Sequence, residues 1–430
     1  MSHLVWGISI FLVTLLFIIW RPKGIHEAIP AVLGGLLTLF LGLITLGDVF
    51  IVIKIIWNAI FSLIAIMIIS AILDEAGFFR WCAFSLAKRT GGSGRLLFFF
   101  VILLGVGTTF FFNNDGTILI LTPIVYELTK ALGFSKKNTF PYLMACGFIA
   151  DTASLPLVVS NLTNIVTADF FNIDFLRHIS IMFLPGVMII IASFIVLYMF
   201  FRGEIPEWYD PAKVGEVEVA DPWLIRFGLV VLGCIIVGYL FNAFYSIPVS
   251  LIAGAGGLLL FFAAMKRGTV DTYGIVLRAP WHIIFFALGM YMIVYSLRNA
   301  GLIIAISQLL AKFISYGIYK AIFLTGTTFA LISSLMNNLP SVMTGAMSVA
   351  ELNLSGILRE AMIATNVIGN DIGPKMTPMG SLATLLWLHM LKERGFKFSY
   401  LDYLRVGPVL TVPVLLSALL GLVLRVRILG

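Results

Sequence analysis

The side chains able to do chemistry in this chain come in pairs more than two hundred positions apart. "NNDGT" (Asn113 to Thr117) sets two amides, a carboxylate and a hydroxyl inside an apolar run, and "NNLPS" (Asn337 to Ser341) repeats the pattern with Pro340 as the breaker. Two longer stretches follow them, "ADTASLPLVVSNLTN" (Ala150 to Asn164) and "NDIGPKMTPMGSLAT" (Asn370 to Thr384), where Pro156, Pro374, Pro378 and Gly380 forbid a continuous helix. An unpaired polar group in an apolar medium costs roughly 2–7 kcal/mol, so such clusters must be hydrogen-bonded, hydrated or functional. Asn113, Asn114, Asn337 and Asn338, with Ser160, Asn161, Thr163, Ser381 and Thr384, offer donors and acceptors without net charge. That lining suits a small neutral polyhydroxy solute. Asp115, Asp151 and Asp371 add groups that can carry protons, beside one fixed cation, Lys375.

A plainer account stands beside each assignment. The Asn, Ser and Thr residues at the tips are also good helix caps, and Asp115 could cap the helix from Thr117. Lys375 could serve only to neutralise Asp151 or Asp371, or could tune their proton affinity. Glu127 reads as half of a solvated pair with Lys130. His3, His26 and His178 read as terminal or loop residues, and His282 and His389 as locally hydrogen-bonded. No HxxxH or HExxH spacing points to a metal, and no cofactor motif is present. Cys82, Cys146 and Cys234 are scattered without CxxC spacing and read as buried, inert thiols outside the site.

The elements that must hold these residues are membrane helices. The chain is 60% hydrophobic and 11% charged, with apolar runs recurring along almost its whole length. The run Leu4 to Trp20 lacks a basic flank before it and a small-residue cleavage site after it, which predicts a retained helix rather than a signal peptide. A net charge of +7 is spread through short loops, so membrane topology explains it and nucleic acid does not.

Laying Trp57 over Trp281 brings Ala76-Gly77 onto Ala300-Gly301 and Asn113-Asn114 onto Asn337-Asn338, always 224 positions on; after a four-residue shortening Asp151 falls on Asp371 at 220. The chain therefore reads as two diverged repeats, 1–201 and 223–430, joined by a mixed-charge cytoplasmic linker at 202–222. The expected fold is an all-α polytopic membrane protein. Each repeat has about five crossings plus a re-entrant hairpin and a broken helix, and the odd number inverts the second copy. Helices are expected near 3–20, 28–46, 50–73, 78–90 (on the surface) and 179–201, then near 224–243, 247–264, 281–297 and 407–424, with a hairpin over 96–134 and a broken crossing near 361–390. This arrangement puts Arg21, Lys23, Arg80, Lys88, Arg89, Arg95, Lys136, Lys137, Arg202, Lys266, Arg267, Lys392, Arg394 and Lys397 on one side, the expected cytoplasm, and both chain ends outside.

The stretches "WNAIFSLIAIMIISAILDEAGFF" (Trp57 to Phe79), "NNDGTILILTPIV" (Asn113 to Val125), "GFIADTASLPLVVSNLTNIVTADFF" (Gly147 to Phe171), "LGMYMIVYSLRNAGL" (Leu288 to Leu302), "MNNLPSVMTGAMS" (Met336 to Ser348) and "GPKMTPMGSLATLLWLHML" (Gly373 to Leu391) closely resemble the arsenical efflux permease family, ArsB. The resemblance spans essentially the full chain and includes "RPKGI" (Arg21 to Ile25). It implies a bacterial inner-membrane exporter of arsenite and antimonite in the ion transporter superfamily, with a scaffold and a moving transport subdomain. It further implies exchange of As(OH)3 or Sb(OH)3 for protons and, in some operons, docking of a soluble ATPase. The chain carries no GxxxxGK[ST] loop of its own.

Arsenite near neutral pH is an uncharged trihydroxide, which amides and hydroxyls can hold without a buried counter-charge. An ion-coupled carboxylate or sodium/proton transporter of the same superfamily is the alternative, and an anionic substrate would call for more fixed cations than Lys375. An intramembrane protease lacks its GxGD or HExxH motif here, and a passive receptor would not need broken helices meeting at mid-depth.

Overall fold

The computed structural model describes residues 2–215, 219–245 and 247–429, and the chain is a multi-pass, all-helical membrane protein. Helices α1 (Ser2–Trp20), α2 (Ala28–Phe40) and α3 (Leu46–Glu75) precede a short α4 (Phe78–Arg89). A hairpin of α5 (Gly94–Phe112) and α6 (Asn114–Ala131) turns at Asn113; α7 (Lys136–Thr152) and α8 (Leu162–Phe171) form a helix broken over 153–161, and α9 (Phe175–Phe201) leads to the linker.

The order then recurs. Helices α10 (Pro222–Tyr245), α11 (Val249–Arg267), α12 (Thr272–Arg278), α13 (His282–Asn299) and α14 (Leu302–Ser315) come first. A hairpin of α15 (Ile318–Met336) and α16 (Asn338–Ala350) turns at Asn337. The second broken helix is α17 (Gly356–Ile372) with α18 (Leu382–Glu393), and α19 (Tyr400–Leu429) closes the chain. Nine helices among the described residues are long and apolar enough to cross a membrane.

Several boundaries differ from those expected from hydropathy, and for one reason. Capping residues lie outside the apolar run and lengthen the helix. Thr45 and Asp48 form a capping box, with Thr45 N donating to Asp48 Oδ2 at 2.8 Å, so α3 starts at 46 rather than 50. Asp174 accepts from Arg177 N at 2.9 Å and starts α9 four residues early, while Ser399 and Asp402 do the same for α19. In the other direction, α2 stops at Phe40 because Gly42 turns at a φ of 67°.

Packing divides the helices by partner. Small residues let α2 and α13 approach closely: a Cβ on Gly289 would sit 2.3 Å from Ala31 O, so no other residue fits there. Helix α3 lies against α11, α6 against α7, α15 against α17, and α9 against α19. At one end, polar contacts join Arg21 to Glu27, Arg278 to Glu75, Arg267 to Asp221, Arg95 to Glu207 and Lys136 to the Gly395 carbonyl. At the other, Asn299 donates to Leu43 O, and Glu360 joins Arg177 to Arg425.

Three side-chain expectations are corrected. His178 is buried in α9, with Nε2 3.1 Å from Leu155 O, and is not a loop residue. Glu127 pairs with Arg80 at 3.5 Å rather than with Lys130. Cys146 is buried, but Cys82 is only half-buried and Cys234 is exposed on α10.

Candidate transport site

Each hairpin tip turns on an asparagine whose backbone is held where non-glycine residues rarely go. Asn113 has φ 62° and ψ 171°, and Asn337 has φ 75° and ψ 152°, a region costing on the order of 1–3 kcal/mol. The side chain helps to offset that cost. Asn113 Oδ1 accepts from Gly116 N at 2.8 Å, and Asn337 Oδ1 accepts from Leu339 N at 3.3 Å, so each caps its returning helix. Asn113 Nδ2 and Asn337 Nδ2 are buried without a protein partner.

The second member of each pair faces the space between the tips, while Asn338 Oδ1 also accepts from Leu339 N at 3.0 Å. Asn114 and Asn338 line a cavity of about 70 Å³ together with Asp115, Asn161 and Ser381. One water needs about 10–15 Å³ on this measure, so the space holds several waters or a solute of a few heavy atoms. The arms of the two hairpins leave from opposite ends of the helices, yet both tips line this one cavity. Each tip is therefore inside the protein, and Asn338 N fixes the second by donating to Gly380 O at 3.1 Å. No Lys or Arg lines the cavity among the described residues. The Asp115 carboxylate, in the first turn of α6, makes no hydrogen bond to a described residue.

Behind the cavity lies a second polar layer. Asn114 Nδ2 donates to Asp151 Oδ1 at 2.7 Å, and Asp151 Oδ2 lies 2.8 Å from Lys375 Nζ. The lysine also donates to Gly147 O at 2.7 Å and Thr384 Oγ1 at 3.0 Å, in a site that is 1% exposed. Gly147 is required at this point, since a Cβ would lie 2.8 Å from the Trp387 indole. Asp371 accepts from Thr163 Oγ1 at 2.5 Å, and its other oxygen is buried without a partner. Asn161 Nδ2 reaches Ser154 Oγ at 3.3 Å, and Ser160 donates to Phe110 O at 3.2 Å.

Of the thirteen residues singled out from sequence, five meet at the cavity: Asn114, Asp115, Asn161, Asn338 and Ser381. Asn113 and Asn337 cap, and Asp151, Ser160, Thr163, Asp371, Lys375 and Thr384 stand outside the cavity lining.

Glu27 and His282 also line the cavity and were missed. The signal was available: at an offset of 224, His282 stands over Asn58, a second polar residue in an apolar run. His26 packs on His282 with ring centroids 4.2 Å apart, and Glu27 lies beside both. Arg21 Nη2 stands 2.7 Å from Glu27 Oε2 and supplies the positive charge that this carboxylate needs, so the cluster is ion-paired. A separate pocket of about 260 Å³ at the opposite end is lined by Lys54, Asn58, Asp169 and Asp174 among others, with Asn58 Nδ2 2.9 and 2.8 Å from the two Asp169 oxygens.

The chain matches the family described as "Arsenical pump membrane protein", ArsB, over residues 6–426. It is 46% identical over 422 residues to an "Arsenical pump membrane protein" of Escherichia coli, covering 98% of both chains. It is 47% identical over 420 residues to that of Escherichia coli strain K12, covering 97% of this chain and 98% of the other. A "Putative arsenical pump membrane protein" of Bacillus subtilis strain 168 is 32% identical over 413 residues, covering 92% and 93%. Among solved structures, the YdaH transporter of Alcanivorax borkumensis shares the fold with a TM-score of 0.55 at 15% identity, covering 88% of this chain and 87% of that one.

Proposed function

Because the chain belongs to the ArsB family of arsenical pump membrane proteins, we propose that this transporter exports arsenite and antimonite as neutral trihydroxides across a bacterial inner membrane, in exchange for protons. The observation that carries the reading is the cavity itself. It is small, lined by amides and a hydroxyl from both hairpins and both broken helices, and has the carboxylates of Asp115 and Glu27 and the His282 imidazole but no Lys or Arg on its wall among the described residues. A carboxylate substrate would face Asp115 with no Lys or Arg on the cavity wall, which disfavours the alternative within the superfamily.

Asn114, Asn338, Asn161 and Ser381 hold the hydroxyls of the substrate, with Asn113 and Asn337 fixing the tips. Asp115 is the proton carrier, because Asp151 is already paired with Lys375 and Asp371 is held by Thr163. Unprotonated Asp115 accepts an O–H of the trihydroxide on the cytoplasmic side. Uptake of a proton from outside removes that acceptor and releases the cargo; loss of the proton inside restores it. The hairpins and broken helices move against α2, α3, α11 and α13 between the two states.

The test is arsenite accumulation in everted vesicles energised by respiration, with and without uncoupler. Accumulation should collapse with uncoupler in the wild type and be absent in Asp115→Asn. Accumulation that survives the uncoupler but needs ATP and a soluble partner would replace antiport with an ATPase-driven pump.

A further inference from the structure

The cavity has two unlike walls. The hairpins and broken helices supply Asn114, Asp115, Asn161, Asn338 and Ser381, while the facing wall, from the start of α2, from α3 and from α13, adds two polar groups among the described residues, Glu27 and His282. Glu27 is 4% exposed and gives one oxygen, Oε2, to Arg21. Its other oxygen, Oε1, lies 3.9 Å from His282 Nε2 and accepts no hydrogen bond from a described residue. A desolvated carboxylate oxygen beside an imidazole is a ready acceptor for a hydroxyl.

The corresponding positions at the other end are different. An offset of 224 pairs His282 with Asn58, and the start of α11, Pro248 and Val249, stands where Glu27 caps α2. The chemistry does not recur. Pro248 and Val249 bring no carboxylate, and the Asn58 amide is occupied by Asp169 on α8. His389, which corresponds to Asp169 at the offset of 220, is exposed and pairs with Glu393 at 3.3 Å instead of reaching His282. Both ends thus hold a cavity, but only the one at the Arg21 end has Glu27 and His282 on its wall.

We propose that Glu27 and His282 extend the metalloid site on one side only. The trihydroxide held by Asn114, Asn161, Asn338 and Ser381 donates a hydroxyl to Glu27 Oε1 and hydrogen-bonds to His282 while the site faces the Arg21 end. It loses both contacts when the site faces the other end and meets Asn58 and Val249. This inference rests on the function proposed above and adds a direction to it. A ligand shifts a two-state equilibrium only through its different affinities for the two states, and here the scaffold wall supplies that difference. Loading is favoured at the cytoplasmic face and release at the external one.

The experiment compares wild type, His282→Asn and Glu27→Gln in oriented proteoliposomes, after gel filtration has shown folded protein. Half-saturation by arsenite is measured from each face by counterflow. Loss of a hydrogen bond involving a charged group should raise the cytoplasmic-face value roughly tenfold or more, with the external-face value unchanged. His282→Asn, which installs the side chain of the opposite position, keeps the test open should Glu27→Gln fail to fold beside Arg21. Unchanged values, or equal rises at both faces, would overturn the proposal while leaving the exporter reading intact. A wild-type protein that moves no arsenite would overturn both.

Discussion

At the scale of single residues, the sequence shows which amides, hydroxyls and carboxylates stand inside apolar runs but not how they divide their labour. Two adjacent asparagines look alike in a sequence. The division depends on φ, because Asn113 and Asn337 take the strained turn and cap, leaving Asn114 and Asn338 to face the cavity. The choice of Asp151 as the partner of Lys375 was equally hidden, since it is fixed by where the first broken helix ends relative to the second. That pair yields a sharp expectation. Lys375→Ala leaves a buried carboxylate unpaired and should cost about 3–5 kcal/mol, whereas adding Asp151→Asn in the same chain should recover a large part of it. Thermal unfolding of the two purified variants in detergent checks this; a double variant no more stable than the single would show that the lysine acts through Gly147 and Thr384 alone.

At the scale of elements, the breakers and the apolar runs made the order of helices, hairpins and interruptions legible. Their lengths were less so, because Thr45, Asp174 and Ser399 extend helices from polar residues that hydropathy discounts. Contacts between elements far apart in sequence were not legible at all. The Asn58 to Asp169 contact is one, tying α3 to α8 across the wall of the separate pocket at the other end. Asn58→Ala removes that tie and also the acceptor for Ser250 N. Amide exchange in α8 should then accelerate, corresponding to a loss of roughly 1.5–3 kcal/mol of local protection for a hydrogen bond to a charged group. Hydrogen-exchange mass spectrometry over residues 162–171 reads this directly, and unchanged exchange would mean that α8 is held by apolar packing.

At the scale of the whole molecule, Arg21, Arg267, Arg278, Arg95 and Lys136 tie loops and helix ends to Glu27, Asp221, Glu75, Glu207 and the Gly395 carbonyl. Asp221 closes the linker onto Arg267. Burial opposes its ionisation, but hydrogen bonds from Arg267, Leu224 N and Thr269 win and hold its carboxyl down at about 2. A folded-state value below that of a free aspartate stabilises fully above about pH 4 and is lost as pH falls from about 4 towards 2. Asp221→Asn should therefore melt below wild type at pH 7, with the gap narrowing through that acid window in a melting series. The pairing of Asp151 with Lys375 also bears on how the protein is made. Their partnership crosses 224 positions, so a ribosome adding 5–20 residues per second delivers the lysine on the order of 10–45 s after the aspartate. Throughout that interval the first half is in or beside the membrane with a charge it cannot bury and a broken helix it cannot close. Biogenesis must shelter this half-built state, and final insertion of the first broken helix waits on synthesis of the second.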